Sequence, residues 1–305
     1  MPIPNACPLC AADTQQQTVV TSHVYGENTQ TNAFYHCHTC DVRYQFPGLT
    51  LEEESRFYNA EFESFMAGRS GAAGGWLGAE SHITANKGTV DRRMKYLLSK
   101  LNNASTILEV GCSSGFMLFP LEERGYSCIG IEPSGFFSEF VRSKGVPVYS
   151  SLEEMIKHEP NKKFDVIQHY FVLEHISEPI SFLKTQLELL NKGGRIIFEI
   201  PNVADALYTV YDIPAFERFY WSLAHPWYFS EKSLCYLLDQ VGEPFEIILD
   251  QRYDLSNHMT WARDGKPGGM NRFTDKLGIE IEDSYKKALV ASGKCDTLIG
   301  IITKK

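Results

Sequence analysis

From Thr106 onward short apolar runs alternate with amphipathic stretches, and this alternation narrows the possible folds more than any other feature. Apolar runs occupy Thr106–Val110, Ser127–Ile131, Phe164–Gln168 and Arg195–Ile200. Helical spacing fills Phe116–Arg124, Phe136–Lys144 and Pro179–Leu190 between them. Glu231–Gln240 reads as a further helix, and Glu246–Leu249 and Thr297–Ile302 as closing strands. Before the first strand, Val90, Met94, Leu97, Leu98 and Leu101 recur at helical spacing and predict a helix over 89–101. Strands that are apolar on both faces require cover on both faces, so the expectation is an α/β domain around a buried parallel sheet.

The N-terminal region follows another logic. Cys7-Pro8-Leu9-Cys10 and Cys37-His38-Thr39-Cys40 are two CxxC pairs separated by a strand–turn–strand pattern, Thr18–Thr21 and Ala33–Tyr35. The rival readings are a redox dithiol and plain packing cysteines. A redox dithiol needs one pair and opens a helix after a strand. Two pairs at hairpin separation favour a zinc ribbon with Cys7, Cys10, Cys37 and Cys40 as ligands. Four thiolates close the coordination shell, which makes the ion structural. The other four cysteines are scattered, so this is no disulfide framework.

Charge bears on partners. The 305-residue chain carries a formal charge of −9. Residues 1–66 hold two basic residues, Arg43 and Arg56, against eight acidic ones, a net of −6. A ribbon that grips phosphates needs the opposite sign, which argues against a nucleic-acid partner. The first residues lack a basic-then-apolar signal pattern, and no apolar run is long enough to span a membrane. The expected location is cytoplasmic. The expected organisation is a ribbon with a short helix at 1–66, a Gly-rich linker or lid at 67–88 around Trp76, and the α/β domain at 89–305. Within that domain, 202–228 reads as an irregular aromatic insertion facing substrate.

The first strand runs into Glu109-Val110-Gly111-Cys112-Ser113-Ser114-Gly115, and the second ends at Glu132-Pro133. Glycines there let backbone approach a ligand, and a strand-end carboxylate can accept from both hydroxyls of a ribose. The Gly-x-x-x-Gly spacing differs from a dinucleotide fingerprint. The acidic Glu109 suits a cationic ligand without phosphate, such as S-adenosylmethionine (SAM). With these residues the chain resembles the class I SAM-dependent methyltransferases. Phe164–His169, Val172–Pro179, Leu189–Arg195 and Pro201-Asn202 extend the resemblance over roughly residues 90–302. A narrower group shares the ribbon and an aromatic pair, here Phe57-Tyr58, and includes sugar and natural-product methyltransferases.

The resemblance implies a seven-stranded Rossmann-like sheet of order 3-2-1-4-5-7-6 with strand 7 antiparallel. It implies that Gly111 and Gly115 line the methionine moiety, Glu132 the ribose and Pro133 the adenine, with Ser151 and Leu152 where members contact the adenine edge; Glu109, Cys112 and His169 are further candidate cofactor contacts. The acidic residue that many members carry at this point is replaced by Ser151-Leu152. His169 and Tyr170 stand where the fourth strand ends and are expected to face the donor methyl. A hydroxyl or carbon acceptor must lose a proton, so His175, His169, Glu174 and Tyr170 are the candidate acid–base residues. His225, Tyr208 and Tyr211 are candidate substrate contacts. The expected reaction is O- or C-methylation of a small molecule, a nucleotide-linked or glycan sugar. The alternatives are an RNA methyltransferase that binds through the ribbon and a SAM-binding scaffold without turnover.

Overall fold

The computed structural model describes residues 3–27, 31–57, 61–70, 78–101 and 105–305. At the N-terminus, β1 (Gln17–Thr21), β2 (Ala33–Cys37) and β3 (Arg43–Phe46) form an antiparallel meander. Helix α1 (Leu51–Arg56) follows, started by a capping box in which Thr50 and Glu53 satisfy each other's backbone N–H. Then come α2 (Phe62–Ser70), α3 (Ala79–Ala85) and α4 (Lys87–Leu97). The region expected as a linker therefore carries the end of α2, all of α3 and the start of α4. Trp76 and the glycines at 71, 74 and 75 lie outside the described residues, as does Tyr58 of the aromatic pair.

The α/β domain runs through β4 (Thr106–Val110), α5 (Leu118–Glu122), β5 (Ser127–Ile131), α6 (Gly135–Ser143), β6 (Val148–Tyr149) and α7 (Leu152–His158). It continues with β7 (Phe164–Tyr170), α8 (Pro179–Leu189) and β8 (Leu190–Pro201). After the short helices α9 (Ala206–Thr209) and α10 (Pro214–Tyr220) come β9 (Trp227–Tyr228), α11 (Glu231–Val241) and β10 (Phe245–Asp250). Helices α12 (Leu255–Asp264), α13 (Thr274–Leu277) and α14 (Ile279–Ala291) precede the last strand, β11 (Thr297–Thr303).

The large sheet has the order β10-β11-β8-β7-β4-β5-β6. Numbered along the domain this is the expected 3-2-1-4-5-7-6, and β11 alone runs antiparallel to both its neighbours. Strands β4 and β7 are buried almost throughout, as their unbroken apolar runs require. One apolar cluster, with Leu183, Leu187 and Leu234, covers one side of the sheet, and another, with Met94, Leu118 and Val141, covers the other. Strand β8 starts five residues earlier than its apolar run, because Asn191–Gly194 bulges where pairing jumps from Leu190 to Arg195.

The aromatic insertion is a structural element of the ribbon. Strand β9 pairs antiparallel with β3 through Arg43↔Tyr228 and Tyr44↔Trp227, completing a four-stranded sheet, β1-β2-β3-β9. Phe34 of the ribbon packs against Trp221 and Tyr228 at ring separations of 5.0 and 5.4 Å. Val24 and Phe34 share one core with Phe216, Trp221 and Trp261. Ribbon and insertion thus hold each other in place. Among the described residues no helix is long and apolar enough to cross a membrane.

Candidate active site and cysteine cluster

The four cysteines of the ribbon converge. Cys7 Sγ lies 3.8 Å from Cys40 Sγ, and Cys10 Sγ lies 3.5 Å from Cys37 Sγ. Zinc–sulfur bonds of about 2.3 Å place tetrahedral ligands about 3.8 Å apart, so the spacing fits zinc. The two arms are built alike. Ala11 donates to the Cys7 carbonyl and Asp41 to the Cys37 carbonyl, while Cys7 and Cys37 donate to Ala12 and Val42. Ala11 and Asp41 both take a left-handed backbone, φ 58° and 67°, which lets each loop turn around a shared centre. Asp41 also accepts from Arg43 and Ser230, tying this knuckle to the start of α11.

At the carboxyl ends of β4 and β5 lies the glycine loop. Gly111 and Gly115 have φ of 74° and 75°, and an added Cβ would stand 2.7 Å from Val172 Cγ2 and 2.9 Å from Phe119 Cζ. Neither position tolerates a side chain. Glu132 accepts from the backbone N–H of Ser113 at 2.6 Å and of Ser134 at 2.9 Å. It is thus a buried carboxylate that shapes the loop. Glu109 is buried, and burial pushes its carboxyl up to about 8; its Oε2 meets no partner among the described residues. A buried acid with one oxygen unpartnered among the described residues, beside a loop that excludes Cβ atoms, fits a cationic ligand carrying a ribose.

Other expected cofactor contacts sit differently. The Cys112 thiol points into the core, where a Cβ on Gly130 would lie 2.6 Å from it, so only its backbone can face a ligand. Pro133 is exposed beside Glu132. Ser151 is the N-cap of α7, accepting from Glu154 N–H at 3.1 Å, and Leu152 is buried in the core.

Two acid–base candidates at the end of β7 are placed against that role. His169 lies beneath the sheet surface, stacked on Phe198 at 5.1 Å and edge-on to Phe182, and burial holds its imidazole down to about 3. The strand pleat sends Gln168 and Tyr170 to the opposite face, toward Glu109 and Arg93. Tyr170 is covered by the Arg93 guanidinium at 3.8 Å and donates to Gln168 Oε1 at 3.1 Å; burial raises its phenol, which opposes action as a base.

Glu174 and His175 do come together with His225. One ligand-capable atom from each lies within 4.8 Å of the other two. Glu174 is 1% exposed, and burial pushes it up to about 8. His175 donates Nδ1–H to the Ala224 carbonyl at 2.6 Å, so Nε2 carries the lone pair. Burial brings the His175 imidazole down to about 4, and the His225 imidazole lies well below its usual value for the same reason. Phe62 of α2 stands edge-on to His175, at 5.7 Å and 90°. A cavity of about 250 Å³ opens beside His175, walled by Gln45, Phe46, Leu49, Glu54 and Trp227 among others.

Of the expected substrate contacts, His225 joins this cluster. Tyr208 packs against Tyr220 and Trp221. Tyr211 turns the other way, bonding the Tyr285 hydroxyl at 2.6 Å and packing beside His258. Sequence reasoning missed His82 and Arg69. His82 on α3 bonds Ser114 of the glycine loop at 2.9 Å, and Arg69 on α2 lies 4.3 Å over Phe219. Both fall where glycine spacing suggested a linker, so no periodic signal marked them. The Arg92, Arg93 and Tyr96 side chains of α4 converge on the buried Glu199 of β8 and fix the helix across the sheet.

A family model for a methyltransferase domain matches residues 83–247. A ubiquinone biosynthesis O-methyltransferase of Rhizobium etli is 30% identical over 95 residues, covering 30% of this chain and 38% of that protein. A tRNA U34 carboxymethyltransferase of Nautilia profundicola is 37% identical over 101 residues, covering 30% and 33%. The chain thus spans less than two fifths of the length of these curated relatives. A SAM dependent methyltransferase from Archaeoglobus fulgidus is 17% identical with a TM-score of 0.48, covering 71% of this chain and 94% of that one.

Proposed function

Since the chain belongs to the methyltransferase-domain family, we propose that it transfers a methyl group from SAM to a small-molecule acceptor, a nucleotide-linked or glycan sugar, at oxygen or carbon. The observation that carries the acceptor class is the cavity beside His175. Trp227, Tyr44 and Phe46 give it aromatic surface, while Gln45, Glu54 and Ser177 add polar groups. That mixture suits a polyhydroxylated ring, whose faces are apolar and whose rim forms hydrogen bonds. Among the described residues no lysine or arginine lines the cavity, and the ribbon beside it is acidic. An RNA backbone would meet repulsion there, despite the tRNA-modifying relative.

In this reading Glu132 holds the cofactor ribose, the Gly111–Gly115 backbone cradles the methionine moiety, and Glu109 faces its positive charge. Bound SAM supplies a methyl group already activated on a sulfonium. The chain's task is then alignment of the acceptor and removal of its proton. The second task falls to the Glu174, His175 and His225 cluster, enclosed by α2. The four ribbon cysteines hold a structural zinc ion, which keeps β3 and β9 in register beside the cavity.

Isotopically labelled SAM incubated with a pool of nucleotide sugars, read by mass spectrometry, tests the reading. A labelled sugar is the expected product, and its fragmentation separates O- from C-methylation. Label confined to macromolecular material would overturn the small-molecule class. In the same assay His175→Ala is expected to cut turnover strongly while leaving S-adenosylhomocysteine (SAH) affinity unchanged. Equal turnover would remove His175 from the reaction.

A further inference from the structure

Buried polar atoms without partners collect around the segment after β7. Among the described residues both carboxylate oxygens of Glu174, Nδ1 of His225 and Nη1 of Arg69 have none. A buried carboxylate left unpaired is costly, and such an orphan marks a missing occupant. Arg69 does not fill that role, because its guanidinium lies over the rings of Phe219 and Tyr25. The ligand-capable atoms of Glu174, His175 and His225 lie within 4.8 Å of one another. Cation–ligand bonds of about 2.0–2.2 Å place donors about 3–4 Å apart, so small side-chain rotations close the set. His175 is already oriented as ligating histidines are: Nδ1–H is held by the Ala224 carbonyl, which fixes the tautomer with its lone pair on Nε2.

We propose that Glu174, His175 and His225 bind one divalent first-row transition-metal cation, separate from the ribbon zinc. Two imidazoles and one carboxylate select manganese, iron or zinc over calcium or magnesium, and three protein donors leave positions open. Of the three ligands His175 lines the cavity, so an acceptor seated there lies next to the set. The use of the cation in methyl transfer rests on the function proposed above; its binding does not. In that use the acceptor O–H proton leaves to solvent, because the cation lowers its pKa. The freed oxygen pair then forms the new O–CH3 bond, and the pair of the breaking S–CH3 bond stays on sulfur. His175 then acts as a ligand and not as a free base.

The test titrates manganese chloride into the full-length, zinc-loaded chain and follows free Mn2+ by electron paramagnetic resonance. Expected is one Mn2+ per chain, bound at least tenfold more weakly in Glu174→Gln and in His225→Ala. SAH affinity, measured on the same samples, should match the parent and shows that the variants are folded. Absence of uptake by a parent protein that binds SAH, or equal uptake by both variants, overturns the site. Labelled-methyl transfer that persists after chelator has removed the Mn2+ overturns its catalytic use. Mn2+ binding with the expected variant pattern but no labelled product from any acceptor pool would count against the proposed function and leave the cation site standing.

Discussion

Glu132→Ala removes the carboxylate on which both the loop and the proposed ribose contact depend. In the structure that carboxylate accepts from Ser113 N–H at 2.6 Å and Ser134 N–H at 2.9 Å. In the proposed contact the same carboxylate also accepts from the two ribose hydroxyls. Hydrogen bonds to a charged group contribute about 1.5–3 kcal/mol each. Loss of two ribose bonds therefore weakens cofactor binding by about 3–6 kcal/mol, or about 10²- to 10⁴-fold. Loss of the two backbone bonds also frees Ser113, which sits at φ 48° and relaxes once nothing holds it there. Two such bonds, offset by about 1–2 kcal/mol of relieved backbone strain, lower global stability by about 2–4 kcal/mol. Calorimetric titration with SAH reads the first effect and thermal unfolding the second. An SAH affinity within threefold of the parent, in a protein that still melts cooperatively, would refute the assignment of Glu132 to the cofactor.

Three further outcomes are expected. Glu199→Gln breaks the buried network with Arg92 and Arg93 and should cost about 3–5 kcal/mol in chemical denaturation. Burial alone would raise Glu199, but Arg93 and Arg92 outweigh it and bring the carboxyl from 4.5 down to about 2. Because the folded value is depressed, this stabilisation is full above the unfolded value and is lost as pH falls from about 4.5 toward 2; it amounts to about 3 kcal/mol. A parent protein whose stability stays flat across that window would contradict the network. His169→Phe removes two buried ring nitrogens that have no partner among the described residues, so the melting temperature should hold or rise and methyl transfer should persist. Loss of transfer in a stable His169→Phe protein would return the residue to the site. Chelation of the ribbon zinc should lower the tryptophan emission contributed by Trp221 and Trp227, since β9 loses its partner β3. Unchanged emission after verified metal removal would show that the ribbon sheet stands without the ion.

Much of this was legible in the residues because the signals are local. Strand order followed from the resemblance carried by Glu109–Gly115 and Glu132, and both regions lie where expected at the ends of β4 and β5. The paired cysteines announced their own convergence through spacing. Helices α12–α14 went unassigned because no strong periodicity marks residues 251–296; their polar contacts, such as Glu282 with Ser256 and Asp254 with Asn271, join residues far apart in sequence. His169 and Tyr170 adjoin in sequence, yet the pleat sends them to opposite faces, and proximity to a strand end cannot reveal which face meets a ligand.

What the chain determined by itself is the set of local constraints: apolar runs that need cover, glycines that need positive φ, thiols paired at knuckle spacing and a carboxylate at a strand end. Each depends on neighbours within a few residues, so each can be read in order. Tertiary structure alone decided that 227–228 joins the ribbon sheet, that His225 meets Glu174 and His175, and that Arg69 lies over Phe219. Those contacts span some fifty residues or more. They arise from how aromatic surfaces of the ribbon, α2 and the insertion bury one another, a collective packing outcome that no short window of sequence contains.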